Sequence, residues 1–172
     1  MIIIRYAQIR RMDISNGEGI GISLFTQGCP FHCKNCFNKE TWDYDKGKEW
    51  TRKAENIFLN LIKPKYITRI SFLGGEPLYY KNLDKIVDLC TKIKNTYPDK
   101  KIWLYSGYKF EDIISDISRK NILQYIDILV DGQFIDELKD LNLKFKGSKN
   151  QRVIDVKKSL KNNKIILYKE KF

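Results

Sequence analysis

Cysteine is scarce in this chain of 172 residues: there are four, unevenly placed, with Cys29, Cys33 and Cys36 together and Cys90 alone. Such a set excludes the paired framework of a small secreted domain stapled by disulfides. Nor are staples needed, since a single domain of this length buries on the order of 70% of its extended-chain surface. Long apolar runs are also missing. The opening Met1-Ile2-Ile3-Ile4 is cut short by Arg5, which excludes a membrane span or signal peptide and leaves a first strand as the expectation. Repeats, low-complexity tracts and Gly/Ser linkers are absent, so residues 1–172 are expected to form one domain. A cytoplasmic location is expected, because thiols of this kind persist in reducing compartments.

Acidic residues are in deficit. The formal charge is +11, and residues 139–172 hold eleven Lys or Arg against three Asp or Glu. A basic end of this kind suits an acidic partner, a phosphate-rich ligand or nucleic acid. A composition rich in Ile, Lys and Asn throughout explains it without any partner. No aromatic-interleaved motif accompanies the charge, so nucleic-acid binding is a minor expectation.

What is present is an alternation of strands and helices. Gly21-Ile22-Ser23-Leu24-Phe25-Thr26 reads as a strand running into the cysteines. Thr51 is placed to cap a helix carrying Ile57, Phe58, Leu61 and Ile62, stopped by Pro64. Ile70-Ser71-Phe72-Leu73 predicts a buried strand ending at Gly74-Gly75-Glu76-Pro77, and Asn82 precedes an amphipathic helix with Leu83, Ile86, Val87, Cys90 and Ile93 on one face. Ile102-Trp103-Leu104-Tyr105 and Ile126-Asp127-Ile128-Leu129-Val130 read as further strands, with a helix over 111–117 between them. Alternating strands and helices predict an α/β fold with a mostly parallel sheet. The unusual residues stand where strands end, the usual place for ligands in such sheets.

The cysteines are spaced C-x3-C-x2-C within Gly28-Cys29-Pro30-Phe31-His32-Cys33-Lys34-Asn35-Cys36-Phe37. Structural zinc takes four ligands, as does an ordinary four-iron cluster. Three thiolates suit a [4Fe-4S] cluster with Cys29, Cys33 and Cys36 as ligands and a fourth iron open. The alternatives are zinc completed by His32 or Cys90, or inert thiols. Cys90 fits its helix as a small hydrophobe, and His32, beside Cys33, is badly placed to share a tetrahedron. Gly74 and Gly75 allow close backbone approach to a ligand, although Gly-Gly before Pro also makes an ordinary turn. Asp131, at a strand end, is a candidate for a cofactor or cation contact, with a helix cap as the alternative. Asn16-Gly17-Glu18-Gly19 reads as a turn, or as part of the site. Gly147-Ser148-Lys149-Asn150-Gln151-Arg152 reads as a solvated loop, with anion binding as the alternative.

The cysteine spacing resembles that of the radical S-adenosylmethionine enzymes. Asn16-Gly17-Glu18-Gly19, Ser23-Leu24-Phe25, Cys36-Phe37-Asn38-Lys39-Glu40-Thr41-Trp42, residues 73–78, Ser106-Gly107-Tyr108-Lys109, Leu129-Val130-Asp131-Gly132-Gln133-Phe134 and Gly147-Ser148 with Asn150-Gln151 resemble, in order, the activating proteins of the anaerobic ribonucleoside-triphosphate reductases. The resemblance spans about residues 14–155 and is weakest beyond them. It implies a shortened, open (β/α) barrel of the radical SAM type. It implies that the open iron chelates the methionine end of S-adenosylmethionine, with Gly74, Gly75 and Glu76 beside the amino group and Asn35, Cys36 and Phe37 near it. It implies an enzyme that forms a glycyl radical on the reductase large subunit, with a flavodoxin- or thioredoxin-type electron donor. The competing expectations are another small radical SAM enzyme resembling the 7-deazaguanine synthases, and a zinc-dependent nucleic-acid-binding module. The basic end, through Lys157 and Lys158, is a candidate docking surface.

Overall fold

The computed structural model describes residues 3–171. Four apolar runs form the centre of one sheet: β2 (Gly21–Thr26), β4 (Arg69–Gly74), β5 (Lys101–Ser106) and β6 (Ile128–Asp131), all parallel. Two strands run against them, β1 (Arg5–Asp13) beside β2 and β7 (Arg152–Asp155) beside β6. A short β3 (Lys48–Glu49) pairs with the start of β1, giving the order β3-β1-β2-β4-β5-β6-β7 in a sheet that does not close. The α/β class and the mostly parallel sheet agree with the expectation; the antiparallel edges do not follow from the apolar pattern. The first strand begins at Arg5 rather than within Met1-Ile2-Ile3-Ile4, of which Met1 and Ile2 lie outside the described residues.

Side chains alternate across the sheet with the period of two that strands impose. Ile22, Leu24, Ile70, Phe72, Ile102, Leu104 and Leu129 face helices α1 (Arg52–Ile62), α2 (Tyr80–Thr96) and α3 (Phe110–Ser115), forming the main core with Phe58, Ile62, Ile86, Leu89 and Ile93. The alternate residues Phe25, Leu73, Tyr105 and Val130 face the other way and line a cavity. That inner face carries a second small core of Trp103, Ile128 and Val130 against Phe145, Val153 and Tyr168. A sheet clad with helices on one face and concave on the other leaves room for a ligand at its strand ends.

Local chemistry sets the helix boundaries. The Thr51 hydroxyl accepts from the Ala54 N–H at 3.2 Å, the cap expected for α1. Its buried stripe is Ala54, Phe58 and Ile62, one every fourth residue, while Ile57 is exposed. Helix α2 starts at Tyr80, so Asn82 is inside it rather than before it. The C-terminal α4 (Val156–Asn162) is capped by Asp155, whose carboxylate accepts from Lys158 N–H at 3.0 Å. Among the described residues no helix is long and apolar enough to cross a membrane.

The Asn16-Gly17-Glu18-Gly19 turn floors the concave face. Arg69 is fully buried there and donates to the carbonyls of Asn16, at 2.7 Å, and of Asp13. A Cβ on Gly17 would meet Arg69 at 2.5 Å and Trp103 at 2.8 Å, and its φ is +132°, so only glycine fits. Glu18 accepts from Tyr168 and from the Lys171 N–H, tying residues 168–171 to this floor.

Candidate functional site

The cysteine stretch leaves β2 at Gln27 and loops back on itself. Gly28 N–H donates to Thr41 C=O at 2.7 Å and Cys29 N–H to Trp42 C=O at 3.1 Å, so the Thr41-Trp42 end of the motif closes the loop that starts at Gly28. Gln27, itself buried, donates to the carbonyls of Glu40 and Asp43 and holds the returning segment, which includes a 3-10 turn over Lys39–Thr41. Within the loop, Cys36 N–H donates to Cys33 C=O at 3.1 Å and Asn38 N–H to the Cys36 sulfur at 3.4 Å. His32 and Asn35 both take φ near +50°, which makes the loop tight. Cys29, Cys33 and Cys36 all line one cavity of about 520 Å³ with Gly74, Gly75 and Glu76.

The glycines do something different from what the sequence suggests. A Cβ on Gly75 would sit 2.5 Å from the Gly28 carbonyl oxygen, and one on Gly74 2.7 Å from Phe25 Cα. Their missing side chains let the β4 loop lie directly on the cysteine loop. Two backbone bonds cross there, Gly75 N–H to Thr26 C=O at 2.9 Å and Glu76 N–H to Gly28 C=O at 2.8 Å.

Glu76 is 1% exposed and uses both carboxylate oxygens. One accepts from Leu78 N–H (2.8 Å) and Ser106 Oγ–H (2.9 Å), the other from Gly107 N–H at 2.8 Å. Burial pushes its carboxyl up to about 7 against the pull of these donors. Glu76 thereby joins the β4 and β5 loops. A Cβ on Gly107 would overlap the ring of Phe31, which packs edge-on to Tyr108, so the Ser106-Gly107 turn is also shaped to the cysteine loop.

The far wall comes from residues 132–151. Gln151 accepts from the Gly147 and Ser148 N–H groups and donates to Gly132 C=O; Asn150 donates to Gln133 C=O. These bonds explain the Gly147-Ser148 and Asn150-Gln151 pattern as internal bracing. Phe37 packs on Phe134 with ring centroids 5.1 Å apart and lines the cavity. Cys33 lies 3.9 Å from Gln133 Oε1.

Of the sequence-predicted site residues, Cys29, Cys33, Cys36, Phe37, Gly74, Gly75 and Glu76 line this cavity. Asn35 and Asp131 are outside its lining. Asn35 donates to Asp136 at 2.7 Å, next to a Lys34–Glu137 ion pair of 3.1 Å, latching the cysteine loop to the far wall. Asp131 is 1% exposed, accepts from Arg152 Nε at 3.0 Å and from the Phe110 N–H that opens α3 at 2.8 Å. Asp131 thus satisfies an N–H at the start of α3 from a distant strand, while the N-cap position of that helix is held by Lys109. Lys157 and Lys158 are paired with Asp127 at 2.8 Å and Asp155 at 3.2 Å, so both have structural partners. Sequence reasoning missed Asn82. It is fully buried and donates 3.0 Å bonds to Gln27 C=O and Glu76 C=O, bridging the starts of both loops. It also missed Tyr105 on the cavity wall, whose buried hydroxyl has no partner among the described residues.

The donor set fits an iron–sulfur cluster better than a zinc ion. Cys90 is fully buried on the core face of α2, and His32 stacks on Trp42 at 4.6 Å, so neither completes a set of four. Among the described residues no three His, Cys, Asp or Glu side chains converge on a single metal ion. Burial pushes the Cys29 thiol up to about 11 and raises Cys33 as well, so metal binding here must displace protons.

Comparison with known proteins supplies the remaining facts. Residues 15–154 match the family model of a 4Fe-4S single cluster domain. The chain is 38% identical over 148 residues to an anaerobic ribonucleoside-triphosphate reductase-activating protein of Vibrio cholerae, covering 85% of this chain and 94% of the relative. Proteins of the same name from Escherichia coli (37% over 150 residues, 86% and 96% covered) and enterobacteria phage T4 (35% over 148, 86% and 92%) are similarly close.

Proposed function

Because the chain belongs to the family of anaerobic ribonucleoside-triphosphate reductase-activating proteins, we propose that it activates that reductase as a radical S-adenosylmethionine enzyme. The observation that carries this reading is the meeting of three cysteines with the Gly74-Gly75 backbone in one cavity. Cys29, Cys33 and Cys36 would hold a [4Fe-4S] cluster, with one iron free of a protein ligand and available to S-adenosylmethionine. When bound, the cluster and cofactor would supply, with one electron from an external reductant, the radical chemistry for taking a hydrogen atom from a glycine of the reductase large subunit.

The chain's own residues orient and enclose. Gly74 and Gly75 set the β4 loop against the cysteines, so backbone carbonyls there are available to the methionine ammonium group. Cys36 and Phe37 approach the same space from the cysteine loop. Glu76 and Asn82 are positioning residues that hold the two loops in register. Asn35 acts through its bond to Asp136, and Asp131 through Arg152. A flavodoxin- or thioredoxin-type protein provides the electron, and a reducing compartment suits the chemistry.

The test is anaerobic incubation of the reconstituted protein with the reductase large subunit, S-adenosylmethionine and a reductant. Electron paramagnetic resonance should show an organic radical whose α-hydrogen splitting collapses when the reductase glycines are deuterated. Cleavage of S-adenosylmethionine without that signal would move the assignment to a small-molecule radical enzyme of the 7-deazaguanine synthase kind. Stoichiometric zinc without iron or sulfide would move it to a zinc module.

A further inference from the structure

The cavity wall carries four charged side chains, Arg10, Glu76, Asp140 and Lys146. Three have partners. Glu76 accepts three hydrogen bonds, Lys146 donates to Gln151 C=O at 2.9 Å, and Asp140 accepts from Asn142 N–H at 2.9 Å. Arg10 has neither a hydrogen bond nor an ion pair with any described residue. Its guanidinium carbon instead lies 4.6 Å from the centroid of Phe25, a stacking that fixes the group without consuming its five donors.

The placement of that shelf is specific. Phe25 is at the end of β2, and its Cβ would be 2.8 Å from a Cβ on Gly74. In the β1–β2 register Arg10 is opposite Ser23, so its side chain reaches along the strand toward the cysteine end. Further along the chain Met12 and Ile14 are 54% and 71% exposed, and Leu141, part of the cavity lining, is 82% exposed. From Ala7 onward the outer edge of β1 has no strand partner, because β3 pairs only with Arg5 and Tyr6. A free strand edge and exposed apolar side chains along it suit an extended polypeptide, and Arg10, a solvent-exposed arginine at the rim of the cavity, suits a carboxylate on it.

We propose that Arg10 anchors a carboxylate side chain of the reductase segment that carries the reactive glycine, fixing that segment across the cavity mouth. This rests on the function proposed above. The methionine carboxylate of the cofactor is the other carboxylate available to the site. By family resemblance it is held at the open iron, so the polypeptide is the source that leaves Arg10 a role.

The test uses cluster-loaded protein with S-adenosylmethionine and a synthetic peptide spanning the reductase's glycine, either with its Asp and Glu residues or with Asn and Gln in their place. Wild type should bind the acidic peptide about threefold more tightly than the amide form, as expected for a charge pair at a solvent-exposed arginine. Arg10→Gln should bind both equally while keeping wild-type iron content and cofactor affinity, and Arg10→Lys should keep part of the preference. The proposal is overturned if wild type does not bind the acidic peptide, does not distinguish the two, or if Arg10→Gln still distinguishes them. Loss of cofactor affinity in Arg10→Gln, with peptide preference intact, would assign the arginine to the methionine carboxylate instead. None of these readings depends on radical formation, so absence of a glycyl signal with the whole reductase would count against the proposed function separately.

Discussion

The two walls that grip the cysteine loop are built in opposite ways. On the sheet side, Gly75 and Glu76 are bound to its start through backbone N–H bonds, Ser106 and Gly107 are joined to that stretch through the Glu76 carboxylate, and that carboxylate is 1% exposed and fully used. On the other side, residues 132–151 are braced among themselves but reach the cysteine loop through side chains open to water. Lys34 and Glu137 are 71% and 67% exposed. Buried backbone bonds in low dielectric hold a geometry fixed, whereas exposed ion pairs contribute little. The sheet side is therefore suited to a ligand that needs fixed geometry, and the loop side is free to yield.

The largest break in this comparison should come from Gly75→Val. The sequence alone suggests that this change blocks the cofactor and spares the cluster. The 2.5 Å approach of a Cβ to the Gly28 carbonyl instead predicts that iron content and cofactor binding fall together, with overpacking of about 1–3 kcal/mol. Iron and sulfide analysis after reconstitution decides between them. Full iron with lost cofactor binding would mean that the two loops are not interlocked.

Glu76→Gln should come next, at about 1–3 kcal/mol, because an amide cannot accept from all three donors that now meet the carboxylate. Its effect should depend on pH. Burial raises this carboxyl from 4.5 to about 7, so the folded state binds the proton more tightly than the unfolded chain. The stability of wild type relative to Glu76→Gln is then greatest below pH 4.5 and declines as pH rises through 7. Thermal melts of both proteins from pH 4 to 8 measure this; a gap that widens with pH would contradict the assignment of burial as the cause.

The smallest effect should belong to the exposed latch. Lys34→Ala combined with Asn35→Ala should leave the melting temperature and iron content unchanged, while limited proteolysis within residues 132–151 becomes faster. A loss of stability as large as that of Glu76→Gln would erase the distinction between the walls.

Much of the inner wall was legible because its residues are rare types at strand ends. Three cysteines on one loop and Gly-Gly-Glu-Pro after an apolar strand announce themselves, and the period of two places Phe25, Leu73, Tyr105 and Val130 on one face. What glycine does there was not legible, since an absent side chain looks the same whether a ligand or a neighbouring carbonyl fills the space. Asn82 reads from the sequence only as the residue before a helix, whereas tertiary contacts use its amide, inside that helix, to join two loops. Asp131 drew attention for its place at a strand end, yet Arg152, twenty-one residues on, takes its charge. The antiparallel edges were hidden for a similar reason: β1 is studded with Arg5, Arg10 and Arg11 and lacks the apolar density of a central strand.

The most direct test of the central claim is Mössbauer spectroscopy of protein reconstituted with 57Fe, recorded with and without S-adenosylmethionine. Three thiolates beside an open iron predict a four-iron cluster in which one iron becomes spectroscopically distinct when the cofactor binds, with Cys90→Ala behaving as wild type and alanine at Cys29, Cys33 or Cys36 removing the signal. Four irons that remain unchanged on adding the cofactor, or a cluster lost with Cys90 and kept without one of the three, would contradict it.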